Sequence, residues 1–234
     1  MSYNYTQYVA NLANTLVVPS TDPNFVQELP NIIDDAEQRI YRELDLLATV
    51  IRDSSGTFTA NSRNFTFPQH FIVSESMNVF TPQGTTTNRL PLTPVTREWM
   101  DAVWSNEAAT TTPSIPQYYA MITDQTVIVG PPPDAAYTAE VVGTIRPAPL
   151  SATNPTTYLT LNLPDLFFSA SCVFGFGYLQ NFSSASDNPQ SAVSWESHYQ
   201  TELASANIEE LRKKYQAQAW SPKMPSPIAT PPRS

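Results

Sequence analysis

The chain lacks the residues from which most catalytic and metal sites are built. Its 234 residues include one cysteine, two histidines and six glycines. One cysteine cannot form a disulfide within the chain, and so few Cys and His side chains cannot assemble a zinc cluster at ligand spacing. The scarcity of glycine leaves few places where the backbone can approach a phosphate closely. Composition therefore argues against the commonest classes of enzyme before any motif is considered.

Charge is also scarce, and most of it is negative. Charged residues make up 14% of the chain, below the usual quarter, so Ser, Thr, Asn and Gln must supply the polar surface. Such faces suit burial against neighbours in an assembly. The formal charge of −9 repels phosphate, so tight sequence-independent binding to DNA is not expected. The acidity has two interpretations: a wall past which DNA slides without sticking, or solubility alone.

No catalytic motif occurs along the chain. Cys172 lies in an apolar run and is interpreted as a small buried hydrophobe rather than a nucleophile. His70 and His198 each stand alone, and Gly175-Phe-Gly177 lacks the third glycine and the preceding strand of a dinucleotide loop. The sequence thus predicts no catalytic residue, no cofactor and no metal. The chain is predicted not to be an enzyme.

The uncharged run from Leu166 to Leu179 raises the question of a membrane segment. It is shorter than the roughly 20 residues that a spanning helix needs, and it contains Ser and Gly. A buried helix is therefore predicted, with no membrane anchor. Ser171 and Gly175, four residues apart, would let another helix approach closely.

The period of the hydrophobic residues changes twice along the chain. Helical spacing covers residues 4–16 and 31–48, and Pro30 is predicted to interrupt the helix and restart it. Residues 50–150 alternate as half-buried strands do, with Pro and Gly between them and one short helix over 94–104, capped by Thr93. Helical spacing then returns and continues to about residue 219.

Helices at both ends imply that the terminal segments pack together as one bundle. The β-rich middle projects from this bundle. The proline-rich residues 221–234 cannot form a helix or a central strand. They are either an extended arm bound in a groove of a partner or a disordered end. The predicted fold class is α+β, with N-terminal bundle helices in 1–49, an inserted β-rich domain in 50–150, C-terminal bundle helices in 151–219 and an extended arm in 220–234.

Several blocks spread over about residues 3 to 220 have a familiar order. They are Asn31–Val50, Arg52-Asp53, Val141–Leu150, Leu163–Ser171 and Val193–Gln200. Together they resemble the head-to-tail adaptor proteins of short-tailed phages, the connectors of the tail tubular protein A class. None of these blocks is a catalytic signature.

The resemblance implies a structural virion protein that forms a ring of about twelve subunits by contacts between unlike surfaces. The ring would lie between the portal protein and the tail nozzle protein, with a tail fibre or spike as a further partner. DNA would pass through its channel without specific binding. The implied location is the head–tail interface of a virion assembled in the bacterial cytoplasm.

Two sets of residues are candidates for these roles. The resemblance implies that a C-terminal arm grips the portal, here through Trp220, Pro222, Lys223, Met224, Pro225, Ile228, Pro231 and Arg233. The candidates to line the channel are the acidic residues Asp34, Asp35, Glu37, Glu209 and Glu210.

Two alternatives stay open at this point. One is another tail component, a nozzle or receptor-binding part that uses its β-rich middle as a recognition module. The other is an enzyme that degrades the cell wall, which would need a carboxylate pair or a metal site.

Overall fold

A computed structural model describes residues 3–83, 86–104, 113–180 and 189–217. The chain divides into two compact units, a helical unit from Met1–Leu47 and Pro149–Ser234 and a β unit from Ala48–Ala148. The β unit is therefore an insertion between helices. Helices and two sheets are both present, so the predicted α+β class is confirmed.

The described part of the chain contains six α-helices and eight strands. The helices are α1 (Tyr5–Leu16), α2 (Pro23–Glu43), α3 (Arg97–Val103), α4 (Tyr158–Asn162), α5 (Pro164–Gln180) and α6 (Pro189–Ala217). The strands are β1 (Val50–Phe58), β2 (Asn64–Thr66), β3 (Phe71–Gln83), β4 (Thr86–Pro91), β5 (Thr93–Pro94), β6 (Tyr118–Met121), β7 (Thr126–Gly130) and β8 (Tyr137–Ile145). A 3₁₀ turn, Leu47–Thr49, precedes β1.

Helix α2 runs unbroken through Pro30, so the predicted restart of the helix at this residue is wrong. The helix begins earlier, at Pro23, because the carboxylate of Asp22 accepts hydrogen bonds from the first free backbone amides. Pro30 is exposed, and the carbonyl that loses its helical partner is that of Val26, whose side chain is also exposed. Solvent can satisfy a carbonyl on this side, so the apolar stripe on the opposite side keeps the helix intact.

Helix α5 forms the centre of the helical unit and packs against α1, α2, α4 and α6. The predicted close approach at its small residues is confirmed. The hydroxyl of Tyr8 lies 2.6 Å from that of Ser171, and a Cβ atom added to Gly175 would lie 2.7 Å from Leu16. Cys172 is buried, and burial raises the pKa of its thiol to about 12, which suits a small hydrophobe.

The β unit consists of two four-stranded sheets that share one core. The first has the strand order β1-β8-β3-β4 and is antiparallel throughout; the second has the order β2-β7-β6-β5, with β5 parallel to β6. The core between the sheets is rich in phenylalanine: Phe58, Phe65, Phe67 and Phe71. Aromatic pairs of this kind stabilise a sandwich beyond the area that they bury.

The short helix of the β unit starts later than its sequence predicts. It was expected over 94–104 with Thr93 as its cap, but Thr93 and Pro94 pair with β6 as a short strand. The cap is instead Thr96, whose hydroxyl accepts a hydrogen bond from the backbone N–H of Trp99. Because Thr93 and Pro94 pair with β6, the helix begins only at Arg97.

Helix α1 ends at a strained residue, which generates a prediction. Val17 has φ 57° and ψ 38°, a left-handed conformation that a β-branched residue rarely adopts, and it is 88% exposed. Glycine adopts this conformation without a Cβ penalty, and here it loses no packing. We expect Val17→Gly to raise the free energy of unfolding by about 1 kcal/mol in urea denaturation.

The matched control is Val26→Gly, which removes a second exposed valine from the interior of α2. That variant should be less stable than the wild type, because glycine is unfavourable inside a helix. A Val17→Gly variant of equal or lower stability would show that the residue is not strained.

Candidate functional site

The five acidic candidates lie on α2 and α6, but the fold treats them differently. Asp35 and Glu209 are exposed and Asp34 is half-buried, whereas Glu37 and Glu210 are only 1% and 2% exposed. Two of the five carboxylates are therefore structural parts of the helical unit.

Glu37 holds the chain where it returns to the helical unit. Its Oε1 atom accepts a hydrogen bond of 3.2 Å from the backbone N–H of Leu150. Burial raises the pKa of Glu37 from 4.5 to about 7, the hydrogen bonds from Leu150 and Thr157 lower it, and the charge of Asp34 raises it. This carboxyl is anchored by hydrogen-bond donors, and burial has the largest effect on its pKa.

Glu210 holds the chain where it leaves the helical unit. Its Oε2 atom accepts a hydrogen bond of 3.2 Å from the backbone N–H of Leu47. Its Oε1 atom accepts from the Tyr158 hydroxyl at 3.2 Å and from the Lys213 ammonium at 2.8 Å. Burial raises the pKa of Glu210, but the hydrogen bonds from Lys213, Leu47 and Tyr158 outweigh burial, so the pKa is lowered.

These contacts correct the prediction for Glu37 and Glu210. A buried carboxylate that binds its own backbone cannot present its charge to DNA, so neither residue is available to a channel surface. Asp34, Asp35 and Glu209 remain candidates. The sequence carried a signal for Glu37, because the residue falls in the apolar stripe of α2, between Ile33 and Ile40 at helical spacing.

A second polar cluster joins α2 to α6. The guanidinium of Arg39 donates to both carboxylate oxygens of Glu196, at 2.8 and 2.6 Å, and to Glu43 at 3.1 Å. It also lies 4.1 Å above the ring of Tyr199, whose hydroxyl donates to Glu43 at 2.6 Å. The Arg39 guanidinium lowers the pKa of Glu196. A bidentate pair with fixed neighbours sets the register of α6 on α2.

The β unit buries one charge on its first sheet. Glu140 of β8 is 0% exposed and accepts hydrogen bonds from Asn78 at 3.0 Å and from Arg89 at 2.7 Å, and it pairs with Arg52. These residues lie on all four strands of that sheet. Three donors satisfy the hydrogen-bonding capacity of this carboxylate. The cluster therefore stabilises the pairing of the strands, and Glu140 is not a reactive acid.

An aromatic cluster lies on α3 and β6. The ring of Trp99 lies 5.5 Å from that of Trp104 and 5.1 Å from that of Tyr118, centre to centre. Trp99 is 41% exposed, and the neighbouring Val103 is 47% exposed. This patch exposes part of an aromatic cluster at the surface of the β unit.

In the described part of the chain, neither a metal site nor a membrane segment is found. No group of three or more His, Cys, Asp or Glu side chains in the described ranges could hold a metal ion. Among the same residues, no helix has the length and apolar character needed to cross a membrane. The eight residues predicted to bind the portal, from Trp220 to Arg233, lie outside the described residues.

The chain was compared with known protein families and with curated proteins. The family of the SU10 adaptor protein matches residues 3–229. The matched span includes every described residue of both units. No curated protein matches the chain.

The unusual environment of Glu37 predicts a pH dependence of stability. Between pH 4.5 and about 7 the folded chain keeps a proton that the unfolded chain releases, so the free energy of unfolding falls as the pH rises through this range. Glu37→Gln keeps an acceptor for Leu150 but cannot ionise. We expect it to be more stable than the wild type at pH 8, by on the order of 2 kcal/mol, in urea denaturation.

The control is Asp35→Asn, which removes a neighbouring exposed carboxylate and should leave the pH profile of stability nearly unchanged. Wild-type and Glu37→Gln profiles that run parallel from pH 5 to pH 8 would disprove the assignment.

Proposed function

Since this chain belongs to the SU10 adaptor protein family, we propose that it forms a ring between the portal and the tail nozzle of a phage. The resemblance to phage head-to-tail adaptors is confirmed by the family match, and the role of the chain is that of a structural adaptor. We propose the ring itself, a channel for DNA through it, and its position between these two partners.

The observation that carries the proposal is the family match over nearly the whole chain. Supporting it, the polar clusters described above all serve the fold: Glu210 and Glu37 bind backbone amides, and Glu140 ties strands together. We also propose that the chain is not an enzyme. Cell-wall hydrolysis by the purified protein would contradict this.

The proposed assembly has about twelve copies arranged by repeated contacts between unlike surfaces. Its partners are the portal protein and the tail nozzle protein, with a tail fibre or spike as a further contact. It lies at the head–tail interface of a virion assembled in the bacterial cytoplasm. The charge of −9 lets DNA pass without specific binding.

The C-terminal segment is proposed to attach the ring to the portal. Proline lowers the entropy that an extended segment loses when it is pinned in a groove. Trp220, Met224 and Ile228 are the apolar anchors of this segment, and Lys223 and Arg233 give it a positive charge. The remaining contacts come from Pro222, Pro225 and Pro231.

A second candidate function is suggested by the aromatic cluster of Trp99, Trp104 and Tyr118. An exposed patch of this kind suits recognition of another macromolecule, as in a nozzle or receptor-binding component. The two functions differ in their affinity for the portal. A pull-down with purified portal protein separates them, because only the adaptor should bind.

The arm proposal predicts the result of a truncation. Deletion of residues 221–234 should abolish stable attachment to purified portal protein, measured by co-sedimentation, because the segment supplies the anchors. The control carries the same fourteen residues in shuffled order, which preserves length, charge and proline content but not register. Full binding by the truncated chain would refute the arm, and full binding by the shuffled chain would refute its sequence specificity.

The channel proposal predicts the effect of charge reversal. Replacing Asp34, Asp35 and Glu209 with lysine should slow DNA ejection from virions that carry the variant, because positive charge attracts phosphate. The matched control reverses three exposed carboxylates of the β unit, Glu75, Glu98 and Asp124. An ejection rate that is unchanged, or that falls equally in both variants, would count against these residues.

A further inference from the structure

The outer face of α6 carries an apolar stripe without a partner in the described part of the chain. Ile208, Leu211 and Tyr215 are 52%, 46% and 71% exposed, and Ala204 extends the stripe by one turn. Their spacing of four, three and four residues is that of a helix seam that packs against another helix. At about 100° per residue, the stripe lies opposite the face of α6 that contains buried Ala206.

Further exposed apolar residues lie at the end of α1 and along α2. Val17, at the end of α1, is 88% exposed, and Val26 of α2 is 50% exposed. Pro23 and Pro30 are also exposed and lie three residues before and four residues after Val26, so α2 too presents a helical seam. We name this surface the α1–α2 corner, defined by Val17, Pro23, Val26 and Pro30.

Helix α5 packs against α6 and also against α1 and α2, so the stripe and the corner are separate outer surfaces of one helical unit.

The sequence segments that carry the two surfaces have charges of opposite sign. The first 38 residues of the chain contain Asp22, Glu28, Asp34, Asp35 and Glu37 but neither lysine nor arginine. Residues 211–234 contain Arg212, Lys213, Lys214, Lys223 and Arg233 but neither aspartate nor glutamate. Arg212 is exposed and lies beside the stripe, four residues after Ile208 and three before Tyr215. Lys213 and Lys214 are instead paired within the chain.

We propose that the stripe of α6 in one copy docks on the α1–α2 corner of a second copy, with Arg212 beside the acidic residues of α2 in that copy. This inference rests on the proposed function, because it assigns the surfaces through which the ring would close. The contact joins unlike surfaces, so each copy keeps a free stripe or a free corner until the ring is complete. Pairing of two stripes would bring two Arg212 side chains together, which like-charge repulsion disfavours.

Cysteine crosslinking tests the contact directly, because the only native cysteine, Cys172, is buried. Leu211→Cys and Val26→Cys are made singly and together, and each protein is treated with a short bis-maleimide, both free at high concentration and bound to purified portal protein. The double variant should give a ladder of multimers. Each single variant alone should give monomer, and a mixture of the two should stop at dimers.

A charge variant provides a second measurement on the same sample. Arg212→Glu in the double variant should lower the yield of crosslinked multimers several-fold, whereas Arg212→Lys should preserve it. Equal yields of crosslinked multimers from these two variants would show that Arg212 does not take part in the contact.

The remaining outcomes separate this contact from the adaptor role. Dimers from Leu211→Cys alone would show stripe-to-stripe pairing and overturn the proposal, and so would the absence of a ladder in both the free and the portal-bound samples. Portal binding without a ladder would leave the adaptor role intact but refute these surfaces. A ladder in the free protein without portal binding would support the contact and refute the adaptor role.

Discussion

The helical unit depends on the need to enclose α5, a helix that is apolar around its whole circumference. No single neighbour can cover such a helix, so α1 and α2 from the start of the chain and α6 from its end all pack against it. The polar atoms on α5 are satisfied inside this packing, as where the Tyr8 hydroxyl meets Ser171. The two ends of the sequence are thereby held together, and whatever lies between them in sequence becomes an insertion.

Enclosing α5 leaves two points where the chain must leave and return, and each is held by a buried carboxylate. The two anchors have the same geometry, a hydrogen bond of 3.2 Å to a backbone N–H, at Leu47 and at Leu150. They differ in their neighbours. Glu210 is paired with the ammonium of Lys213 and its pKa is lowered, whereas burial has the largest effect at Glu37 and its pKa is raised. One anchor is ionised through the physiological pH range, and the other titrates within it.

The sequence predicts those helices and strands whose hydrophobic pattern is contained within their own residues. The apolar run of α5 and the stripe of α2 each identify a helix, and alternation identifies the strands. The start of α3 was missed because Thr93 and Pro94 pair with a strand more than twenty residues later. The ion pair of Arg39 with Glu196 was also beyond prediction, since it joins residues 157 positions apart. Burial of Glu37 was within reach, because its place in an apolar stripe is visible without tertiary information.

The charged side chains that are bound within their own units limit which surfaces can associate. Arg39, Glu140 and Glu210 are bound within their own units, so they cannot also hold a partner without losing those contacts. Among its described residues, the helical unit also exposes apolar side chains, which include the stripe of α6 and Val17 and Val26 of the corner. A contact between two unlike surfaces adds further copies without limit or closes into a ring. A contact of one surface with the same surface of a second copy gives only a dimer. Only the first kind suits the proposed ring around DNA, and the opposite charges of the segments that carry the two surfaces favour it over the second.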